Sequence, residues 1–259
     1  MIGSEHRKNP SFTFFEKAYI AFFGYPALGL HIRAKAIIPL IKQCREPENI
    51  LDAGCGNGVF TFYLAQYFNN ASVLGIDIEN KKINNNKIIA QRLNLSNCSF
   101  NHMNVFDIAQ ESKFDLILST DNLEHLENDK DLLNLFHKAL TQEGILILHV
   151  PHTTRHVFGW KRQNFMEIEG HVRPGYGKEE IKKMLEETGF DLKTIKYNYN
   201  SFETLFNDIS FLITGGREKN KAIYSVVFPF LLLASKIFSW WPAGIGSGIV
   251  IKAQKKYGL

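Results

Sequence analysis

The stretch Ile50-Leu51-Asp52-Ala53-Gly54-Cys55-Gly56-Asn57-Gly58 decides the fold. Its apolar start is typical of a buried β-strand, and it leads directly into a loop with glycine at every second position. Glycine carries no Cβ, so such a loop lets the backbone approach a ligand closely. A second apolar run follows and ends at the acidic residue Asp77. We therefore expect a ligand site at the carboxyl ends of two neighbouring strands.

Short apolar runs alternate with helical stretches on both sides of this loop. That alternation predicts parallel strands joined by crossover helices. The five runs that begin the sheet are NILDAG, SVLGID, CSFNHMNV, FDLILST and GILILHV, and the two later candidates are DLKTIKYNY and SGIVIKAQK. The predicted fold class is α/β, a doubly wound, mostly parallel sheet of seven strands with a Rossmann-like arrangement. Apolar helical additions are predicted at the N-terminus and between the last two strands.

The same pattern divides the chain into three parts. Residues 1–45 are predicted to form an N-terminal helical cap, residues 46–200 with 244–259 the core, and residues 201–243 an apolar helical insertion. Within the insertion, Ala222 to Ser235 carries no charge, and a second apolar run follows Lys236. Each run is shorter than the roughly 20 residues that cross a bilayer as a helix. The insertion is therefore expected to be a lid, extra core or a membrane-facing surface.

Composition excludes several classes of protein. The net charge is +4 over 259 residues, and the charges are spread along the chain, so nucleic-acid binding is not predicted. The three cysteines, Cys44, Cys55 and Cys98, show no zinc-ligand spacing and predict reduced thiols. The N-terminal residues lack a secretory pattern. A cytoplasmic protein is expected, and the insertion leaves peripheral membrane association open. The sequence predicts no particular oligomeric state.

The spacing of the glycine loop points to a nucleoside ligand without phosphate. A dinucleotide fingerprint needs G-x-G-x-x-G and holds a pyrophosphate, whereas this loop has G-x-G-x-G after an aspartate. Asp52 would repel a phosphate and suits a ligand with a cationic amino group. Asp77 at the next strand end can accept hydrogen bonds from both hydroxyls of a ribose. These features together describe S-adenosylmethionine as the cofactor.

DAGCGNG followed by GID resembles the class I S-adenosylmethionine-dependent methyltransferases over about Asn49 to Gly189 and the last strand. The resemblance implies that the loop lines the methionine and ribose, that Asp77 holds the ribose and that Ile78 packs on the adenine. The family's acidic contact to the adenine amino group is replaced by Asn104 with Val105, and Asp107 remains an alternative. The cofactor-binding residues predicted so far are Asp52, Gly54, Gly56, Gly58, Asp77, Ile78, Asn104 and Val105.

The acceptor is expected after the fourth strand. Ser119 to Asn122 should lie at the carboxyl edge of the sheet and add to the ligand site. The following LEHL is similar to the quinone-biosynthesis members of the family, which implies a small, hydrophobic acceptor. The candidate bases are His125 and His152, ahead of His171, because histidine titrates near neutrality. No metal is predicted, on the premise that the adjacent Glu124 and His125 would not share a face.

Arg33 is a further candidate cofactor-binding residue, and two other functions compete with methyl transfer. In quinone-type relatives a basic residue on the helix before the core often reaches the cofactor carboxylate, and Arg33 is the candidate here; a surface arginine is the alternative. The predicted activity is methyl transfer to a small, hydrophobic or lipid-like acceptor. A nicotinamide-dependent oxidoreductase and a non-catalytic S-adenosylmethionine-binding protein are the competing hypotheses.

Overall fold

The computed structural model describes residues 1–109, 111–163, 170–214 and 220–256. Nine strands are assigned within these ranges: β1 (Asn49–Ala53), β2 (Ser72–Asp77), β3 (Cys98–His102), β4 (Phe114–Thr120), β5 (Leu140–Pro151), β6 (Thr154–Val157), β7 (Trp160–Gln163), β8 (Phe190–Asn198) and β9 (Gly248–Lys255). The helices are α1 (Phe14–Phe23), α2 (Leu28–Ile41), α3 (Val59–Tyr67), α4 (Asn80–Arg92), α5 (Asp129–Ala139), α6 (Lys178–Glu187), α7 (Ser201–Thr214) and α8 (Lys221–Ile237). Short 3-10 turns lie at Ser4–Lys8, Val105–Asp107, Leu123–His125 and Phe238–Trp240.

Seven strands form one sheet in the order β3-β2-β1-β4-β5-β9-β8. The strands from β3 to β5 pair in parallel, and β9 is antiparallel to both neighbours. The chain winds outward from β1 to β3 and then returns to β4 on the other side of β1. Open α/β sheets bind ligands where the winding direction reverses, here between the carboxyl ends of β1 and β4. The predicted fold class is confirmed.

Two apolar layers cover the sheet because alternate strand residues point to opposite faces. Leu51 packs with α5 and α6, whereas its neighbour Ile50 packs with α2 and α3. Both side chains are fully buried. β1 is thus buried on both faces, which explains why a continuous apolar run, without alternation, precedes the glycine loop.

The two apolar additions pack on each other. Leu28 and Ile32 of α2 share a buried cluster with Tyr224, Phe228 and Leu231 of α8. The other face of α2 belongs to the sheet core through Ile37 and Ile41. α2 therefore serves both the core and the addition, so the sequence-based boundary at residue 45 does not separate two independent packing units.

Two details of the additions and loops differ from expectation. The hairpin β6–β7 was not predicted. The two apolar runs of the insertion, expected to be separate and short, form one helical stretch from Lys221 to Trp240 that is long and apolar enough to cross a membrane by length and composition, with 28% of its most apolar window buried. Lys236 does not interrupt it, because lysine is a good helix former and its side chain lies at the surface.

Candidate functional site

The glycine loop joins β1 to α3 in a backbone conformation that requires glycine. Gly54, Gly56 and Gly58 have φ values of +78°, +51° and +70°. Residues that carry a Cβ rarely adopt such positive φ values. A Cβ on Gly58 would lie 2.9 Å from Asn86 and Phe100 atoms, whereas one on Gly56 would meet no atom of the described residues within 4 Å. Gly58 is therefore needed for packing, and Gly56 borders open space that a ligand can enter.

Asp77 ends β2 beside this loop, as predicted. Its Oδ2 accepts a hydrogen bond from Gly56 N at 2.8 Å, and its Oδ1 accepts one from Glu79 N at 2.8 Å. A carboxylate has about four lone-pair positions, so each oxygen can accept one more donor. Asp77 thus fixes the loop and still offers the two acceptors that a ribose diol needs.

Asp52 lies beneath the loop rather than on its surface. It is 1% exposed, and its Oδ2 accepts a hydrogen bond from Thr61 Oγ1 at 2.6 Å. Burial, with Asp77 nearby, raises the pKa of Asp52 to about 7. Its Oδ1 is buried and has no hydrogen-bond partner among the described residues. A buried carboxylate oxygen of this kind fits a cationic amino group better than a phosphate.

Only some of the residues predicted to contact the adenine have a side chain that is available to a ligand. Ile78 is 68% exposed beside Asp77, which suits an apolar side chain that packs on a flat ring. Asn104 Oδ1 already accepts a hydrogen bond from Phe106 N at 3.0 Å and caps the 3-10 turn. Val105 is buried and Asp107 is exposed at the end of the same turn. One lone pair remains on Asn104 Oδ1, so the turn can still receive an amino group there.

The loop after β4 meets the glycine loop through Asn122. A Cβ on Gly54 would lie 2.9 Å from the Asn122 side chain, which packs directly against that glycine. Asn122 Nδ2 donates to Ser119 Oγ at 3.3 Å, and Ser119 is fully buried. Ser119 therefore positions Asn122 through this hydrogen bond. Its burial does not indicate the direct contact between Ser119 and the ligand that the sequence predicts.

Arg33 is not a free surface arginine. Its Nη1 lies 2.8 Å from Asp121 Oδ2, and His149 Nδ1 lies 2.6 Å from Asp121 Oδ1. Burial alone would raise the pKa of Asp121, but Arg33 and His149 outweigh it and hold this pKa below its ordinary value. Tyr199 adds a hydroxyl at 3.3 Å from Arg33, and Asn198 contacts His149. The structure thus places Arg33 at the carboxyl edge of β4, in a charge network.

The sequence analysis placed Asp121 at this edge of the sheet but did not predict its pairing with Arg33 and His149. Asp121 has a φ of +48°, uncommon for a residue with a side chain, and its backbone N also donates to His149 O at 3.0 Å. A signal existed, because His149 is a polar residue in the otherwise apolar run GILILHV, and Asp121 directly follows a strand. Tyr199 and Asn198 carried no comparable signal.

The candidate bases lie in different places. His152 Nδ1 is 2.8 Å from Thr154 O, and its ring packs on Tyr197 of β8, beyond β5 and β9 from the glycine loop. His125 follows Asn122 by three residues, and its ring contacts that of His171 at a centroid distance of 4.6 Å. His125 in the loop after β4 and His171 before α6 thus lie together, whereas His152 lies farther along the sheet, and the identity of the base stays a prediction.

Glu124 and His125 do converge, so the premise behind the expectation of no metal is wrong for this loop. They lie in a 3-10 turn, not an α-helix, and their ligand atoms and that of His171 all lie within 4.8 Å of one another. Burial, with Asp121 nearby, raises the pKa of Glu124 well above its ordinary value.

A cavity of about 850 Å³ opens between the glycine loop and the two apolar additions. Asn57 of the glycine loop and Arg33 are among the residues that line it. Its remaining wall is mostly apolar and comes from α1, α2, α7 and α8, with Phe15, Tyr19, Leu28, Leu30, Phe211 and Tyr224 among the lining residues. The glycine loop and the apolar additions therefore share one cavity, which they line through Asn57 and through these helices.

Comparison with known proteins agrees with this geometry. The sequence profile of a family described as "Methyltransferase domain" matches residues 45–189, more than half of the chain. The ubiquinone biosynthesis O-methyltransferase of Rickettsia bellii (strain OSU 85-389) is 24% identical over 180 residues, 64% of this chain and 72% of that protein. The (S)-tetrahydroprotoberberine N-methyltransferase of Eschscholzia californica is 26% identical over 113 residues, 43% of this chain.

The fold is shared with a solved enzyme structure. The crystal structure of coclaurine N-methyltransferase bound to N-methylheliamine and SAH superposes with a TM-score of 0.58 at 17% identity, covering 95% of this chain and 75% of that one. The match to the alkaloid N-methyltransferase covers only 32% of its length, so the chain spans about a third of that relative. The family match removes the nicotinamide-dependent oxidoreductase from consideration. The chain belongs to the class I S-adenosylmethionine-dependent methyltransferase family.

Proposed function

We propose that this protein transfers a methyl group from S-adenosylmethionine to a small, lipophilic acceptor bound in the cavity between α1, α2, α7 and α8. One observation carries the proposal. Asn57 of the glycine loop lines the same cavity as residues of α1, α2, α7 and α8, the helices that precede the first strand or lie between the last two strands. A mostly apolar wall with few polar groups is typical of a small-molecule site.

Methyl transfer requires mainly that the enzyme position the acceptor against the methyl group. S-adenosylmethionine supplies an activated methyl group, and the transfer is an in-line displacement whose rate depends on the alignment of the acceptor. Asp77 and the glycine loop would hold the nucleoside, and Asp52 would attract the amino group. Several polar groups on the cavity wall are already paired, since Ser210 Oγ donates to Tyr224 Oη at 2.8 Å. The wall therefore favours an acceptor with a large apolar part.

The relatives support a small-molecule acceptor and leave its reacting atom open. Their printed names include both N-methyltransferases and an O-methyltransferase of ubiquinone biosynthesis. We propose a hydroxyl or amine on a hydrophobic molecule.

We further propose that the protein is cytoplasmic and rests on a membrane. The exposed apolar stripe of α8 consists of Ile223, Val226, Phe230, Leu233 and Ile237, which recur at intervals of three and four residues. Phe14, Phe15 and Phe22 of α1 and Trp240 are also exposed. An apolar surface of this extent is rarely left facing water, and tryptophan suits a membrane interface. The opposite face of α8 packs on α2, so α8 would lie along the membrane surface.

The activity is tested by release of S-adenosylhomocysteine with a panel of lipophilic acceptors. Ala222 lines the cavity at the start of α8, and Ala222→Phe should raise the KM for an active acceptor about tenfold while calorimetry shows unchanged cofactor affinity. An equal KM in parent and variant would place the acceptor elsewhere. Tight cofactor binding without release of S-adenosylhomocysteine with any acceptor would favour the non-catalytic alternative.

Membrane association is tested by flotation with anionic phospholipid vesicles. The double variant Phe230→Ser with Trp240→Ser removes two side chains that are 70% and 71% exposed, so it should keep its melting temperature and lose flotation. Tyr67→Ser removes an exposed aromatic side chain on α3 and should float like the parent. Parent protein that stays in the soluble fraction would refute membrane association and leave the acceptor cavity untouched.

A further inference from the structure

A cluster of one carboxylate and two imidazoles lies at the carboxyl edge of the sheet, where the loop after β4 meets the segment before α6. Glu124 and His125 come from the 3-10 turn at Leu123–His125, and His171 comes from the segment before α6. Two hydrogen bonds fix that segment onto the turn: Val172 N donates to Glu124 O at 3.0 Å, and His125 Nδ1 lies 2.9 Å from Gly170 O. The three side chains are thus held together by the backbone around them.

We propose that Glu124, His125 and His171 bind a divalent transition-metal ion of the zinc type. Their ligand atoms lie within 4.8 Å of one another. Tetrahedral ligands around Zn²⁺ stand about 3.4 Å apart, as follows from bonds of about 2.1 Å. The donors would therefore have to approach one another by at most about 1.4 Å to reach this spacing.

Two of the donor atoms have no hydrogen-bond partner in the part of the chain that the structure describes. Glu124 is 1% exposed, and its buried Oε2 has no hydrogen-bond partner among the described residues. The buried Nδ1 of His171 likewise has none within the described ranges. Leaving such groups unpaired is costly for folding, and each one in a native protein calls for a ligand or an ion. A cation between them satisfies both.

His125 is oriented as a metal ligand. A carbonyl oxygen can only accept, so the contact with Gly170 O assigns the proton of His125 to Nδ1 and leaves the lone pair on Nε2. Metal-bound histidines commonly donate their other ring N–H in this way, which fixes the tautomer and the ring. Asp121, one turn earlier, adds negative charge nearby, and Arg33 offsets part of it.

The donor set indicates the class of metal and its use. Two imidazoles and one carboxylate suit Zn²⁺, Co²⁺, Mn²⁺ or Fe²⁺ better than Mg²⁺ or Ca²⁺, and three protein ligands leave positions open. Asn122 of the same loop packs on Gly54, so these positions are near the cofactor loop. Resting on the proposed function, the ion would bind an acceptor hydroxyl and lower its pKa. The proton would leave to water, and the oxygen would form its bond to the methyl carbon as the carbon–sulfur bond breaks.

Calorimetric titration of the full, metal-free chain with Zn²⁺, and with Co²⁺ followed by visible absorption, tests the site. We expect one ion per chain and a tetrahedral or five-coordinate Co²⁺ spectrum. Glu124→Gln and His171→Ala should each weaken binding about 100-fold or more, since even outer partners of metal ligands change affinity by about 10-fold to 100-fold. His156→Ala, which removes a histidine outside the cluster, should bind like the parent.

The outcomes separate this proposal from the proposed function. Cofactor binding is measured in parallel without added metal, and His125→Ala, at the surface, serves if Glu124→Gln fails to fold. Absence of Zn²⁺ and Co²⁺ binding in a folded parent that binds S-adenosylmethionine overturns the metal site alone. Equal Zn²⁺ affinity in the parent and all folded cluster variants also overturns it. Loss of cofactor binding in the parent would overturn the proposed function and leave metal binding to be judged on its own titration.

Discussion

The two halves of the site are built in different ways. The cofactor half consists of polar groups at the ends of β1 and β2, where Asp77 bonds Gly56 within a short stretch of chain. The acceptor half is walled by helices from opposite ends of the sequence, as in the hydrogen bond of 2.8 Å from Tyr19 Oη to Ser225 O. The cofactor half depends on backbone geometry that only certain residues permit. The acceptor half depends on apolar packing, which many sequences satisfy.

The largest expected effect is in the cofactor half. Asp77→Ala removes both acceptors offered to the ribose, each worth about 1.5 to 3 kcal/mol as a hydrogen bond to a charged group. It also removes the hydrogen-bond acceptor of Gly56 N, which helps to fix the glycine loop. Cofactor affinity measured by calorimetry should fall at least 100-fold, and Asp191→Ala, an exposed aspartate on β8, should leave it unchanged. A folded Asp77→Ala variant that binds within twofold of the parent would show that the ribose lies elsewhere.

The acceptor half is tested by two phenylalanines on α8 that lie two residues apart. Phe228 is fully buried and Phe230 is 70% exposed. Phe228→Ala should lower the free energy of unfolding by about 3 to 5 kcal/mol through the cavity that it leaves. Phe230→Ala should change it by less than about 0.5 kcal/mol. Urea unfolding measures both, and similar losses for the two variants would mean that α8 is buried on both faces.

A smaller effect is expected where the two halves meet. The pKa of Asp121 lies below its ordinary value in the folded protein, so its pairing stabilises the fold above the unfolded pKa and is lost as the pH falls through the folded one. Asp121→Asn should therefore cost roughly 2 kcal/mol at pH 7, the scale of a hydrogen bond to a charged group. The difference from the parent should shrink as the pH falls below about 4. A pH-independent difference in chemical unfolding would argue against the charge network.

The smallest effect concerns Asp52. Its pKa of about 7 means that binding of an ammonium group beside it favours loss of a proton. Cofactor affinity should rise about tenfold between pH 5.5 and 7 and then level off, and Asp52→Asn should flatten this rise. Calorimetry in buffers of different ionisation enthalpy should detect the released proton. An equal pH profile of cofactor affinity in parent and variant would show that Asp52 does not contact the amino group of the cofactor.

The order of the central strands and the position of the glycine loop were predictable, since β1, β2, β4 and β5 contain contiguous apolar runs and the predicted cofactor residues follow strand ends. Ile78 and Asp77 lie where their place after β2 predicts. The burial of Ser119 could not be predicted, because exposure at a strand end depends on what covers it, here Asn122. The contact of His152 Nδ1 with Thr154 O could not be predicted either, because the hairpin β6–β7 has no strong apolar pattern.

The acceptor half was less predictable for a physical reason. The pairing of Arg33 with Asp121 joins residues on separate elements, and no local pattern specifies it. The convergence of Glu124, His125 and His171 depends on a 3-10 turn and on a distant segment held by backbone hydrogen bonds. The apolar runs of α8 predicted a helix but not which face packs on α2, because nearly every position in the helix is apolar.

A crystal structure with bound S-adenosylhomocysteine tests the central claim most directly, since the sulfur atom marks where the methyl group leaves. The claim predicts that the ribose lies on Asp77 and that the sulfur faces the cavity between α1, α2, α7 and α8, near Asn57. A sulfur atom that opens instead onto a polar surface away from these helices, with the cavity of about 850 Å³ separated from it by protein, would contradict the account.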